Sequence, residues 1–165
     1  MASETKRKLP ESFLQGSPID LCDPCDWFTG DEEEAFDKIR QWLTNNKDDA
    51  TVLKTAILCH DMHNATAPFH CLLTANPLLD IVEKFIKYEP EVLKMEVQDL
   101  SWLPIHIACM HGASFEVIQA LANGYPESVK ATSYFDKDLP LHSACVHGAS
   151  FEVIKALVNG YPESV

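Results

Sequence analysis

The hydrophobic positions fall into short stretches with the three- or four-residue spacing of amphipathic helices. In residues 32–46, EEEAFDKIRQWLTNN, apolar side chains fall on one face, at Phe36, Ile39 and Leu43, and carboxylates occupy the first turn. Carboxylates at that end of a helix are stabilised by its dipole. Residues 50–62, ATVLKTAILCHDM, predict a second helix. Because no stretch shows the sustained alternation of a strand, the pattern predicts an all-α chain.

The helical pattern repeats with a period of 36 residues. LPIHIACMHGASFEVIQALANGYPESV (103–129) and LPLHSACVHGASFEVIKALVNGYPESV (139–165) differ at only five positions. A step of 36 residues back from His106 reaches His70, within the weaker copy APFHCLLTANPLLDIVEKFIKYEPEVL. A self-match at a period of this size predicts a solenoid of stacked units.

Each unit predicts a short helix, a tight turn and a second helix. Gly112 and Gly148 fit the left-handed conformation in which many helices end, and Asn76 stands at the same position of the first unit. Ser114 and Ser150 suit the N-cap of the second helix. A proline suits the first position of a helix, and each unit has one there: Pro68, Pro104 and Pro140.

The repeat divides the chain into three parts. Gly124 and Pro126 predict the end of a second helix, since glycine suits a helix exit and proline cannot continue a helix. No repeat motif aligns in residues 31–65, so that helix pair is interpreted as an amino-terminal cap. Residues 1–30, rich in proline and glycine, are interpreted as a flexible tail. The three units are residues 66–101, 102–137 and 138–165.

The order proline, apolar residue, His, any residue, Ala, then Gly and an EVIxxL helix resembles the ankyrin repeat with its TPLHxA signature. The resemblance covers residues 66–165 and is strongest to long ankyrin-like repeats of the LPLHxACxxGASxEVI...YPE pattern, as in algal predicted proteins. It implies an ankyrin-like helical-hairpin solenoid that binds other proteins through loop tips and inner helices. It also implies that three histidines bond to backbone between neighbouring units: His70, His106 and His142.

Two features depart from the ankyrin pattern. The motif's capping Thr is replaced by Ala67, Leu103 or Leu139, which removes a side-chain cap from each first helix. Each unit also has 36 residues, against roughly 33 in the usual ankyrin repeat. One additional residue lies in the turn between the helices and the others lie near YPES.

Composition and charge exclude several classes of function. With 25 acidic against 13 basic residues, the net charge is −12. Such a surface repels nucleic acids and anionic membranes. The chain has no long apolar run and begins with a polar segment, so an intracellular location is predicted. The cytoplasm is favoured over the nucleus, because the cationic cluster of Lys6, Arg7 and Lys8 has no second cluster to complete an import signal.

The sequence predicts no enzyme, no cofactor and no metal site. It contains no GxSxG, phosphate-loop, dinucleotide-glycine or HExxH motif. Cys22 and Cys25, in CDPC, form half of a zinc site by spacing and are interpreted as ordinary thiols. The alternative hypothesis is a metal- or redox-dependent regulatory protein that uses this pair. Its further ligands would come from a nearby group: Cys59, His60, His63, His70 and Cys71.

The favoured interpretation is a non-catalytic interaction module, a scaffold or adaptor that binds another protein. Tyr134 and Phe135 are the expected anchors, because adjacent aromatic residues on a loop have little structural purpose and aromatic residues dominate interface energies. The alternative is that they pack beneath the loop. Seven further residues are predicted to contact the partner: Trp102, Ile107, Met110, His111, Lys137, Val146 and His147. The last unit lacks a polar cap, so the chain is expected either to be a fragment of a longer array or to associate through this unit.

Overall fold

The computed structural model describes residues 32–58, 67–97, 100–134 and 136–161. Within these ranges the chain is helical, apart from turns and an isolated antiparallel bridge between Val97 and Trp102. The tail at 1–30, the CDPC motif and Phe135 lie outside the described residues. No helix in the described ranges is long and apolar enough to cross a bilayer.

The α-helices come in consecutive pairs. The first pair consists of α1 (Glu32–Asn45) and α2 (Ala50–Leu58). The pairs of the three units are α3 (Pro68–Thr74) with α4 (Leu79–Tyr88), α5 (Pro104–Met110) with α6 (Phe115–Gly124), and α7 (Pro140–Val146) with α8 (Phe151–Gly160). Short 3₁₀ helices follow α4 and α6, at Pro90–Lys94 and Pro126–Lys130.

The units stack in two layers that share one apolar core. The first helices α3, α5 and α7 contact one another in sequence, and the second helices α4, α6 and α8 do the same. Both α1 and α2 pack against α4. The helices of the units have 7 to 10 residues, fewer than the roughly 12 to 15 that an isolated helix needs in water. They are therefore stable only through stacking.

The turns and caps predicted from the sequence are confirmed. Gly112 and Gly148 both have φ +71°, and Asn76 has φ +51°, all in the left-handed region. The Ser114 hydroxyl accepts a hydrogen bond from Val117 N–H at 3.4 Å, as an N-cap does. Ser150 caps α8 through the equivalent bond.

α6 ends at Gly124, as predicted, but without the left-handed conformation that favours glycine at a helix exit. Gly124 and Gly160 are the last residues of α6 and α8 and do not have positive φ. A Cβ on Gly124 would lie 2.5 Å from Leu93 Cδ1, and one on Gly160 would lie 3.2 Å from Val129 Cγ2. Glycine is present because the 3₁₀ helix of the preceding unit packs directly against the backbone there.

The 3₁₀ helices themselves were not predicted. Pro90 and Pro126 end the preceding helix, as expected, but each also begins a 3₁₀ helix whose apolar side chains join the core. Leu93 and Val129 are 3% and 5% exposed. These helices occupy the region around YPES, where the units carry most of their additional length.

We predict that Gly148→Val lowers the free energy of unfolding by about 1 to 2 kcal/mol. No atom lies within 4 Å of a Cβ at this position, so the cost is backbone strain at positive φ and not a clash. Gly148→Asn is the matched control, since Asn76 adopts the same conformation in the first unit. Urea unfolding would measure both variants. Equal losses for valine and asparagine would contradict a left-handed turn at Gly148.

Candidate protein-interaction surface

A buried histidine joins the beginning and the end of each of the first two units. His106 is fully buried, and its Nδ1 accepts a hydrogen bond from Leu103 N–H at 3.2 Å. Its Nε2 lies 3.2 Å from the carbonyl oxygen of Ala131. Since Nδ1 is the acceptor, the neutral ring carries its proton on Nε2 and donates to Ala131. His70 makes the same pair of bonds, at 3.3 Å with Ala67 N–H and 3.0 Å with the Met95 carbonyl.

The bond to the N-cap amide does not replace the missing threonine cap, whose hydroxyl would accept from an amide of the first turn. The histidine stands at the third position of the helix and accepts from the N-cap amide, as glutamate does in a capping box. The resemblance implied bonds between neighbouring units, whereas the bonds described here lie within one unit; the backbone of Asp138, in the third unit, also interacts with the His106 ring. Met95 and Ala131 belong to the same units as their histidines, and they lie where the chain leaves the 3₁₀ helix towards the next unit.

His142 makes only the first of these bonds. Its Nδ1 accepts from Leu139 N–H at 3.1 Å and lies 3.3 Å from Asp138 Oδ1. Its side chain is 48% exposed, and its Nε2 has no acceptor among the described residues. The third unit therefore presents a ring nitrogen that the first two units keep bonded.

The loop between the second and third units, residues 131–139, is closed by hydrogen bonds. Ser133 N–H donates to the Asp138 carbonyl at 2.9 Å, and Asp138 N–H donates to the Ser133 hydroxyl at 3.0 Å. Tyr134 N–H donates to the Leu100 carbonyl at 2.9 Å. The Tyr134 side chain is 60% exposed, with Lys137 Nζ 5.3 Å from the ring centroid. Tyr134 therefore projects from the loop and does not pack beneath it.

The predicted contact residues on the helices divide into exposed and buried ones. His111 and His147 are exposed at the ends of α5 and α7, Val146 is 79% exposed and Met110 is half-buried. Ile107 is only 6% exposed, because α5 is stacked between α3 and α7. The expectation that Ile107 is presented to a partner is therefore wrong.

Trp102 lies in the loop that leads into α5, and Lys137 lies in the loop that leads into α7. Trp102 is half-buried and accepts a backbone hydrogen bond from Val97 N–H at 2.9 Å. Lys137 is exposed, with a left-handed φ of +56° that turns the chain after Tyr134. The two residues therefore lie in loop segments whose backbone is fixed by neighbouring bonds.

The first helices carry no Asp, Glu, Lys or Arg. Their sequences are PFHCLLT, PIHIACM and PLHSACV, in a chain of net charge −12. The sequence analysis overlooked this feature, although the composition of the predicted helices contains it. An uncharged surface loses little hydration energy when a partner covers it. The exposed ends of these helices are thus suited to a contact that excludes water.

The third unit exposes a face that the second unit buries. Cys109 is 1% exposed, whereas Cys145, the equivalent residue of α7, is exposed. Cys145 is therefore not a core residue, although it stands in an apolar stretch of the sequence. Phe115 is partly buried, whereas Phe151 is 74% exposed. Leu157 remains 2% exposed because it packs inward against its own unit.

The described residues contain no group of three or more His, Cys, Asp or Glu side chains arranged to hold a metal ion. His70, considered as a ligand above, has both ring nitrogens engaged by backbone groups. Burial raises the pKa of the Cys109 thiol to about 12, so this residue is not a reactive thiolate at neutral pH. Cys22, Cys25, Cys59, His60 and His63 lie outside the described residues.

We predict that acid weakens the stack through His106. Burial lowers the pKa of this imidazole below its ordinary value of 6.5, because the charged form is disfavoured away from water. The unfolded chain then binds the proton more tightly, so this contribution to stability is complete above about pH 6.5 and is lost as the pH falls below it.

Thermal unfolding at pH 7.5 and pH 5.5 would test this, at pH values where ordinary carboxylates stay ionised. The midpoint should be lower at pH 5.5, by roughly 2 to 4 °C for each kcal/mol lost. An NMR titration of His106 with a midpoint above that of a free histidine would contradict the prediction.

Comparison with known families agrees with this architecture. A family model of ankyrin repeats matches residues 69–164 in three copies. No curated protein matches the chain. The matched residues cover the six helices of the stacked units except Pro68, the first residue of α3, and the chain belongs to the ankyrin-repeat family.

Proposed function

We propose that this chain is a non-catalytic scaffold or adaptor that binds a partner protein through the 131–139 loop and the exposed ends of the first helices. Ankyrin repeats generally bind proteins and are usually non-catalytic. The observation that carries the proposal is the exposure of Tyr134 on a loop whose backbone is fixed by three hydrogen bonds.

A fixed loop makes an exposed tyrosine an effective anchor. The Ser133 and Asp138 bonds hold the loop closed, so little backbone freedom remains to be lost on binding. Tyrosine offers a large apolar ring and a hydroxyl at low cost in side-chain entropy. Lys137 over the ring restricts it further. Phe135 remains part of the proposed contact on the grounds of its sequence position.

The ends of the first helices extend this surface beside the loop. Met110 and Val146 supply apolar contacts, and His111 and His147 supply polar ones. The His147 Nδ1 lies 2.8 Å from the Ser143 carbonyl and donates to it, which leaves Nε2 as an acceptor towards a partner. A partner with an apolar patch and a hydrogen-bond donor fits this arrangement.

We also propose that α1 and α2 cap the amino-terminal side of the stack. Phe36, Ile39 and Leu43 are buried in the common core. Arg40 pairs with Asp80 of α4 through two bonds of 2.7 and 3.0 Å, and this contact holds the pKa of Asp80 below its ordinary value. Such exposed pairs add little free energy, so the apolar contacts are the main support for the cap.

Self-association through the third unit is a second candidate. The support is the exposed face of that unit, with Val146 and Phe151 presented to solvent and His142 Nε2 without an acceptor among the described residues. In the second unit the equivalent face is covered by the third. A net charge of −12 opposes association of two copies at low ionic strength, so added salt should strengthen it.

If the loop is the contact, a Tyr134→Ala, Lys137→Ala double variant should capture at least about tenfold less partner protein. A tenfold change corresponds to the removal of an anchor that contributes about 1.4 kcal/mol. Immobilised wild type and variant would be incubated with extract from the source cells, and captured proteins quantified by mass spectrometry. Glu83→Ala, an exposed change on α4, is the matched control and should retain capture. Equal capture by the double variant and the control would contradict the loop as the binding site.

Self-association predicts that Phe151→Lys weakens dimer formation at least about tenfold, because burial of an aromatic side chain contributes about 1.5 to 3 kcal/mol. Light scattering at increasing concentration would measure it. Leu78→Lys is the control, since Leu78 is 51% exposed but lies in the first unit. A wild type that stays monomeric at high concentration and in added salt would refute this candidate.

A further inference from the structure

An open groove of about 580 Å³ runs between α6 and α8, in the layer of second helices. Its walls are formed largely by apolar groups, among them Phe115, Ala122, Val129 and Ala156. We call it the outer groove. The first helices lie in the other layer, so the outer groove is separate from the surface formed by their ends and the 131–139 loop.

The preceding pair of second helices shows what fills the equivalent space. Between α4 and α6, Leu93 Cδ1 lies 2.5 Å and Ile86 Cγ2 lies 3.6 Å from the position of a Cβ on Gly124. One period further along, these two residues are Ala122 and Val129. The exchange of isoleucine for alanine and of leucine for valine removes aliphatic carbons from the second site. The outer groove is therefore the space that the chain's own aliphatic side chains occupy one unit earlier.

The rim of the outer groove carries side-chain amides. Gln119, Asn123 and Asn159 are exposed and line it, and their amides make no hydrogen bond to any described residue. A side-chain amide both donates and accepts. It therefore matches the N–H and C=O groups of a peptide backbone on either side of an inserted side chain.

The charge at the start of α8 indicates what flanks that side chain. Glu152 lines the groove and forms no ion pair within the described part of the chain. By contrast, Glu127 is paired with Lys130 at 3.8 Å. Lys155 lies one turn further along α8 and repels a cation there. A cationic group is thus favoured at the Glu152 end.

We propose that the outer groove binds an extended peptide segment of a partner protein, with one leucine or isoleucine side chain inserted beside a lysine or arginine. The aliphatic side chain takes the place that Ile86 and Leu93 occupy in the preceding unit. The neighbouring cation faces Glu152, and the amides of Gln119, Asn123 and Asn159 bond to the peptide backbone. This contact is independent of the proposed loop contact.

The probe is the capped peptide Ac-Gly-Lys-Leu-Lys-Gly-NH₂, titrated into ¹⁵N-labelled full-length protein and followed by NMR. A single inserted side chain with few bonds gives a dissociation constant on the order of 1 mM. The amide signals of Asn123, Asn159 and Gly160 should shift. The same peptide with alanine in place of leucine should bind at least about tenfold more weakly, since the aliphatic burial is lost.

Ala122→Ile is the decisive variant, because it restores the residue that fills the groove one unit earlier. It should keep the melting temperature of the wild type and bind the leucine peptide at least about tenfold more weakly. Val129→Leu is a second filling variant for the case in which the first is unstable. Glu152→Lys should weaken the lysine-containing peptide several-fold but not a peptide with glutamine in place of both lysines.

Several outcomes would overturn the proposal. The first is the absence of shifts up to about 10 mM peptide, where a millimolar site would be nearly saturated. The others are shifts confined to the first helices and an unchanged affinity in both filling variants. Tyr134→Ala should leave the peptide titration unchanged. A wrong proposal for the loop contact can therefore be distinguished from a wrong proposal for peptide binding in the outer groove.

Discussion

The stack depends on one buried imidazole in each of its first two units. His106 accepts from the amide that begins its helix and donates to the carbonyl where the chain leaves the unit. Leu103 has no side-chain cap to offer, and a helix of seven residues cannot hold itself together in water. A single neutral ring therefore performs two tasks, satisfying a helix terminus and fixing the path into the next unit. Both bonds require a neutral ring that carries its proton on Nε2. Burial in apolar surroundings disfavours the charged ring and therefore keeps the residue in this form.

The elements that depend on local rules could be predicted from the sequence. Pro104 at a helix start, Gly112 in a left-handed turn and Ser114 as a cap each follow from the conformational preference of one residue. The reason for Gly124 could not be predicted this way. Glycine is needed there because Leu93, 31 positions earlier, packs against the backbone, and that approach exists only after the units have stacked. The 3₁₀ helices were missed for the same reason, since their buried side chains contact the following unit.

Exposure is the property that the repeat pattern predicts least well. Phe115 and Phe151 stand in the same sequence context, yet only the second is largely exposed. Periodicity determines which face of a helix is apolar, but it does not determine whether another unit covers that face. At Ile107 the prediction failed in the other direction: exposure was expected and burial is found. The helix is stacked on both sides, so a position that would be exposed in a single unit is buried. Candidate contact residues can therefore be identified only from the stacked structure and not from the repeat motif alone.

The five differences between the second and third units show how this fold separates structure from recognition. Only the exchange of Ile105 for Leu141 lies in the core of both units. Two exchanges lie on the first helices: Met110 for Val146, at the proposed partner surface, and Ile107 for Ser143, where Ile107 is buried. The other two lie on the second helices, Gln119 for Lys155 and Ala122 for Val158; Gln119, Lys155 and Ala122 line the outer groove. The proline, histidine, glycine and serine positions that hold each unit are the same in both. Ile107 is buried by stacking, but Met110, Gln119 and Ala122 are at least partly exposed, so a change at these three positions alters what the chain can bind with little effect on how it stacks.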